Sequence, residues 1–141
     1  MNLTNKVLKL LGMKLAADML ENPVPSEQKL FRAILTLALE DVLSNSQGRH
    51  ESVVKAEAHD WFMSDSEDYK NVCYIAGLDS DWVRERYVKA LDNGQVVFTM
   101  KQHLQVKYTR LYEDLRAAND TGHRKLIQKD IDKLRQKIFK L

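Results

Sequence analysis

Residues 99–141 read TMKQHLQVKYTRLYEDLRAANDTGHRKLIQKDIDKLRQKIFKL, and this stretch decides the fold. Leu104, Tyr108, Leu111, Leu115 and Ala118 recur at spacings of 4, 3, 4 and 3. After Asn119-Asp120-Thr121-Gly122 the pattern repeats in Ile127, Ile131, Leu134, Ile138 and Leu141. Such spacing keeps one face of an α-helix apolar. Two matching seams joined by a short polar turn predict an antiparallel helical hairpin. Thr99 and Gln102 stand three apart at its start, as a capping box requires. Each arm offers about two heptads, too few for a stable isolated pair, so the hairpin packs on the rest of the chain or on copies of itself.

The same stretch carries the positive charge. Residues 101–141 hold eleven Lys and Arg against five Asp and Glu, a balance of +6 in a chain whose total is +2. Residues 1–100 balance at −4, and within them residues 51–92 hold five basic and ten acidic side chains, or −5. One acidic and one basic end suggest a polyanionic partner for the basic end; the plainer alternative is that these charges only keep helices solvated. On a helical wheel started at Ile127, the seam falls within about 40° of zero, while Lys129, Lys133, Lys137 and Lys140 fall at about 200°, 240°, 280° and 220°. Four ammonium groups in line suit a phosphate backbone and carry no base-sequence information. Lys6, Lys9 and Lys14 add to them if the N-terminal helix lies alongside.

Upstream, the chain reads as helices throughout. Leu3–Leu20 has two apolar stripes, Leu3, Val7 and Leu10 beside Leu8, Leu11 and Leu15, which suits a helix sandwiched between two surfaces or donated to a neighbouring subunit. Asn22-Pro23-Val24-Pro25 breaks it. Ser26 is the expected N-cap of a helix to about Leu43. There Leu30, Phe31, Ile34, Leu35, Leu37, Ala38, Leu39, Val42 and Leu43 cover most of the circumference and predict a central buried helix. Ser44-Asn45-Ser46-Gln47-Gly48 is a loop by composition. Ser52 is the expected cap of a helix carrying Val54, Ala58, Trp61 and Phe62, and Ser64 with Glu67 that of a short helix to Ala76. Gly77 stops this helix, and Leu78 folds back on Val72 and Cys73. Asp79 or Ser80 caps a helix from Asp81 to about Leu91. Asn93-Gly94 ends it, and Val96-Val97-Phe98 is one strand or an extended link.

The whole therefore reads as all-α: an N-terminal helix (1–22), a helix-turn-helix-like helical domain (23–98) and a helical hairpin (99–141). Five glycines and two prolines are too few for the repeated turns of a β-sandwich or barrel. Cys73 is the only cysteine, which excludes an internal disulfide and a multi-thiolate zinc site and points to a reducing compartment. No apolar run reaches the roughly 18 residues of a membrane span. Lys6, Lys9, Lys14 and Asp18 interrupt the N-terminal stretch, unlike a signal peptide. The expected location is the cytoplasm, that of the host cell if the source is viral, with no membrane partner.

Little in the chain points to catalysis. There is no Gly-rich phosphate loop, nucleophile elbow or catalytic triad. His50, His59, His103 and His123 lack partners at metal-ligand spacing. Asp65, Glu67 and Asp68 fit the first turn of a helix, where they compensate its dipole, and Cys73 reads as a small core residue. The expectation is a non-enzyme with no catalytic residue, metal or cofactor.

Residues 68–87, DYKNVCYIAGLDSDWVRERY, have the layout of a helix-turn-helix. Cys73 lies four before the turn glycine Gly77, Leu78 follows it, and Val83 lies six after it, so the helices can cross closely over a tight turn. As a DNA reader, the second helix would present Trp82, Arg86 and Lys89, with Arg84 and Glu85 toward its edges. Asp79, Asp81 and Glu85 leave two alternatives open: a helical corner without a nucleic-acid role, and an acidic module that binds a basic protein surface.

Residues from about 30 to 91, above all AHDWFMSDSEDYKNVCYIAGLDSDWVRERYVKAL (58–91), resemble a small helical module of phage and prophage genomes. The shared pattern is an aromatic pair, acidic residues, then VC..AGLD...VR. With the hairpin that follows, about two thirds of the chain is similar to small terminase subunits, the DNA-recognition components of phage packaging motors. The resemblance implies a homo-oligomer, such as a ring, held by the seam of Leu104, Tyr108, Leu111, Leu115, Ile127, Ile131, Leu134 and Ile138. It implies a DNA-facing module around Gly77 with Arg84, Arg86 and Lys89, and as partners double-stranded DNA and the large terminase ATPase subunit. The alternative function is a protein-binding regulator that uses its acidic module on a host or viral protein.

Overall fold

The computed structural model describes residues 3–12 and 25–141. These form the helices α1 (Leu3–Leu11), α2 (Ser26–Leu43), α3 (Arg49–Met63), α4 (Glu67–Ile75), α5 (Ser80–Asp92), α6 (Met100–Ala117) and α7 (Thr121–Lys140). No strand occurs among the described residues, and residues 97–99 are an extended link, so the fold is all-α. The chain divides into two compact units, Met1–Ser44 with Lys55–Val97, and Asn45–Val54 with Phe98–Leu141. The sequence reading set the N-terminal helix apart, whereas α1 belongs to the first unit. Residues 45–54, including the first turns of α3, belong with α6 and α7.

In the first unit α1 packs on α2 and α5, α2 on α4, and α4 on α5. Val7, Leu10 and Leu11 of α1 are buried, so this helix lies between two surfaces of its own chain. Residues 13–20 of the expected first helix, and the break at Asn22-Pro23-Val24, lie outside the described residues. Four aromatic residues join α3, α4 and α5. Phe62 stacks on Tyr87 at 4.8 Å and meets Tyr69 edge-on at 6.1 Å, and Trp61 meets Tyr69 at 5.0 Å. The Tyr69 hydroxyl donates to the Ser80 carbonyl (2.7 Å), which ties α4 to the start of α5. Cys73 is a buried free thiol in this core.

The corner between α4 and α5 forms as its residues dictate. Leu78 N–H donates to the Cys73 carbonyl and Gly77 N–H to that of Tyr74, the paired bonds of a Schellman end, with Gly77 at φ +79°. Asp79 then caps α5 by accepting from Asp81 N–H. Gln28 and Arg32 of α2 donate to the Ala76 carbonyl, so the neighbouring helix satisfies this end as well.

Four expectations are corrected. The sequence predicts burial around most of α2, but only the face of Leu35, Leu39, Val42 and Leu43 is buried. The opposite stripe of Leu30 (59% exposed), Ile34 (39%) and Leu37 (59%) is uncovered, because α1 and α4 occupy one side of the helix. Pro25, not Ser26, is the N-cap of α2; its ψ of 149° already leaves the helical region, and no side-chain cap bond forms. Ser52 lies inside α3, where its buried hydroxyl donates back to the Gly48 carbonyl (2.6 Å) instead of capping. Ser66, not Ser64, caps α4 by accepting from Tyr69 N–H (3.1 Å), while Ser64 donates to the Trp61 carbonyl.

In the second unit α6 and α7 pack together, joined by Ala118-Asn119-Asp120. Thr99 and Gln102 make the reciprocal bonds of a capping box (3.0 and 3.1 Å). The buried Gln102 amide also donates to the Ser46 carbonyl (2.9 Å), and Gln105 to that of Gln47 (3.3 Å), so the loop before α3 is held against α6. The turn is shorter than the sequence suggests. Asp120 caps α7 through His123 N–H, which draws Thr121 and Gly122 into the helix. Arg124 donates to the Leu115 and Ala118 carbonyls (2.6 and 3.0 Å), closing the end of α6.

Candidate nucleic-acid interface

Packing between α6 and α7 decides which of their residues face outward. Ile127, Ile131 and Leu134 are buried, whereas Ile138 and the α6 residues Leu104, Tyr108, Leu111 and Leu115 are half-buried. Leu126 (63% exposed) and Phe139 (83%) stand fully outside the seam. Apolar surface therefore remains on this unit after the two helices have packed.

Along one edge of the seam lies a groove of about 240 Å³, lined by Lys107, Leu111, Asp130, Lys133, Leu134 and Lys137. The floor is the pair of leucines, one from each helix. Lys133 and Lys137 belong to the four-lysine stripe that the sequence predicts on α7 and lie one turn apart in it. Lys107 is the addition: it comes from α6 and faces them across the groove. Its signal was in the sequence, one position before Tyr108 on the flank of the α6 seam, but only the pairing of the two helices brings it to α7. Lys129 and Lys140 are exposed on α7 without lining the groove.

These lysines are not neutralised. Among the described residues none of Lys107, Lys133 and Lys137 forms an ion pair, whereas Asp65, Glu67, Lys70, Asp81 and Arg84 of the first unit do. Asp130 lines the groove but stands beyond ion-pair distance of its lysines. Three ammonium groups around an apolar floor can accept a chain of phosphates, with Asp130 lowering but not cancelling the positive field.

The corner of the first unit is arranged differently. Arg84 is held on two sides: Nε donates to the Phe62 carbonyl (3.1 Å) and Nη2 to Asp65 (2.7 Å), with Asp81 at 3.6 Å. Asp65 adopts φ +53°, an uncommon conformation without glycine, to meet it, and the hydrogen bond from Arg84 holds its carboxyl below the usual range. This arginine braces α5 against the α3–α4 link. Arg86 lies over the Trp82 ring at 5.1 Å. Lys89 is exposed in an open groove of about 500 Å³ that it shares with Asp81, Arg84, Glu85 and Val88. Two carboxylates and two cations leave this groove without a dominant sign.

Among the described residues no group of three His, Cys, Asp or Glu side chains could hold a metal ion, and no helix is long and apolar enough to cross a membrane. No protein family matches the chain, and no curated protein or solved structure matches it either.

Proposed function

We propose that this chain is a non-enzymatic DNA-binding protein acting as a homo-oligomer, of the small-terminase kind, which marks viral DNA for packaging by a motor ATPase carried on another chain. The observation that carries this reading is the convergence of Lys107, Lys133 and Lys137, without carboxylate partners, on a groove of the segment that holds most of the positive charge. Phosphate neutralisation supplies most non-specific DNA affinity, so such a groove binds duplex of any sequence. Half-buried Leu104, Leu111 and Leu115, with exposed Leu126 and Phe139, offer apolar area for contact between copies. In an assembly, weak grooves add by avidity, so base-reading side chains are not required.

Retention of duplex DNA by the full chain at low salt tests this. The double substitution Lys133→Glu and Lys137→Glu is expected to lower affinity by at least about tenfold, and raising salt to the physiological range to weaken the wild type steeply. Retention unchanged by the double substitution would overturn it.

One observation favours a second reading. Asp65 and Asp81 capture Arg84, one of the three cations assigned to the corner, and so withdraw it from any phosphate while Glu85 stays exposed. A basic protein surface suits such a corner better than DNA. Binding that survives the Lys133/Lys137 double substitution but is lost on Glu85→Lys would favour this alternative.

A further inference from the structure

On the other flank of the hairpin seam, two tyrosines and two arginines form a cluster that the lysine groove does not use. Tyr108 and Tyr112 lie one turn apart on α6, with ring centroids 5.0 Å apart and hydroxyls 3.4 Å apart. Arg135 of α7 donates to the Tyr112 hydroxyl from Nη2 (2.8 Å), and to that of Tyr108 from Nε and Nη2 (3.3 Å each). Arg49, at the start of α3, sits over both rings, its guanidinium carbon 5.1 and 5.3 Å from their centroids, and its Nε donates to the Thr109 hydroxyl (2.9 Å).

Neither arginine has a carboxylate partner among the described residues, so two full positive charges share one pair of neutral rings. Arg49 Nη1 and Nη2 and Arg135 Nη1 make no hydrogen bond there either. The Tyr112 hydroxyl accepts from Arg135 and keeps its own proton to donate. The hydrogen bond with Tyr112, then that with Arg135 and the nearby guanidinium charges, hold the Tyr108 phenol below its ordinary value. The uncommitted Nη1 and Nη2 of Arg49 and Nη1 of Arg135, beside a phenol donor, match the several oxygens of a tetrahedral oxyanion.

We propose that Arg49, Tyr108, Tyr112 and Arg135 form a phosphate-binding site, separate from the lysine groove. The group it takes is a phosphate, from a nucleic-acid backbone or from a free phosphate ester. This goes beyond the DNA-binding reading, since inorganic phosphate alone tests it.

The experiment is calorimetric titration of the full chain at low salt with inorganic phosphate, and in a parallel arm with a short duplex. The wild type is expected to take up phosphate saturably, at about millimolar concentration for a single exposed site. Arg49→Gln and Arg135→Gln should each weaken this by about tenfold. Arg116→Gln, which removes an exposed cation of α6 outside the cluster, should change it little. Circular dichroism checks helix content, and Tyr112→Phe, which keeps the ring and removes one donor, provides a milder variant with a smaller loss. Parallel weakening in the duplex arm identifies a backbone phosphate; weakening confined to inorganic phosphate identifies a free ester. Absence of saturable uptake, or equal loss in Arg116→Gln, overturns the proposal. A wild type that binds phosphate but no duplex would defeat the DNA-binding reading and leave this site standing.

Discussion

Lys55 shows how much one side chain can depend on the fold around it. It is wholly buried on α3 and donates to the Ser44 carbonyl (2.7 Å) and to that of Val97, and so joins the end of α2 to the link after α5. Loss of hydration, and secondarily the charge of Lys6, lower its pKa from 10.5 to about 8. Between these values the unfolded chain holds a proton that the folded chain has released, so stability rises as pH increases from about 8 toward 10.5. The buried phenols of Tyr69 and Tyr87 act in the opposite sense. Burial raises both above 10.0, so stability falls once unfolded tyrosines ionise above that pH. Thermal melting of the wild type should therefore improve between pH about 8 and about 10, and Lys55→Met should abolish the improvement. A variant that keeps the same rise would assign it to other groups. Nothing near Lys55 in the sequence announces its burial, because its acceptors lie 11 and 42 positions away.

At the scale of elements, the α4–α5 corner rests on Gly77. Alanine there would hold a left-handed φ of +79°, and its Cβ would run into Gln28 Nε2, which donates to the Ala76 carbonyl. The flexible amide can move aside at the loss of that bond. Gly77→Ala is expected to cost about 2 kcal/mol, from roughly 1 kcal/mol of backbone strain and a similar amount for the hydrogen bond. Urea unfolding followed by circular dichroism measures it; a loss below about 0.5 kcal/mol would mean that the corner does not depend on this conformation. This corner was legible in the sequence, as were the Thr99–Gln102 box and the Asp79 cap, because each depends on residues within five positions. What spans the chain was not. The exposure of Leu30, Ile34 and Leu37 depends on which side of α2 its neighbours take, and apolar periodicity alone cannot choose. Ser52 looked like a cap because its hydroxyl bonds a backbone group either way; the Gly48 carbonyl, four residues back, is what places it inside a helix. Of the candidate site, the α7 lysines were visible as a stripe, while Lys107 and Arg49 join their clusters only through packing between helices.

For the whole molecule, charge and apolar surface point to the same segment. Residues 101–141 carry +6, and their packed helices still leave Phe139 and Leu126 open to solvent. On the proposed DNA-binding reading a single protomer would meet DNA with few cations, whereas several copies would multiply the contacts without new residues. Native mass spectrometry of the full chain mixed with a short DNA duplex in dilute buffer measures both halves of this claim at once. The expected spectrum holds several protomers bound to one duplex, with the DNA released as ionic strength rises. A lone protomer free of DNA at low ionic strength would contradict it.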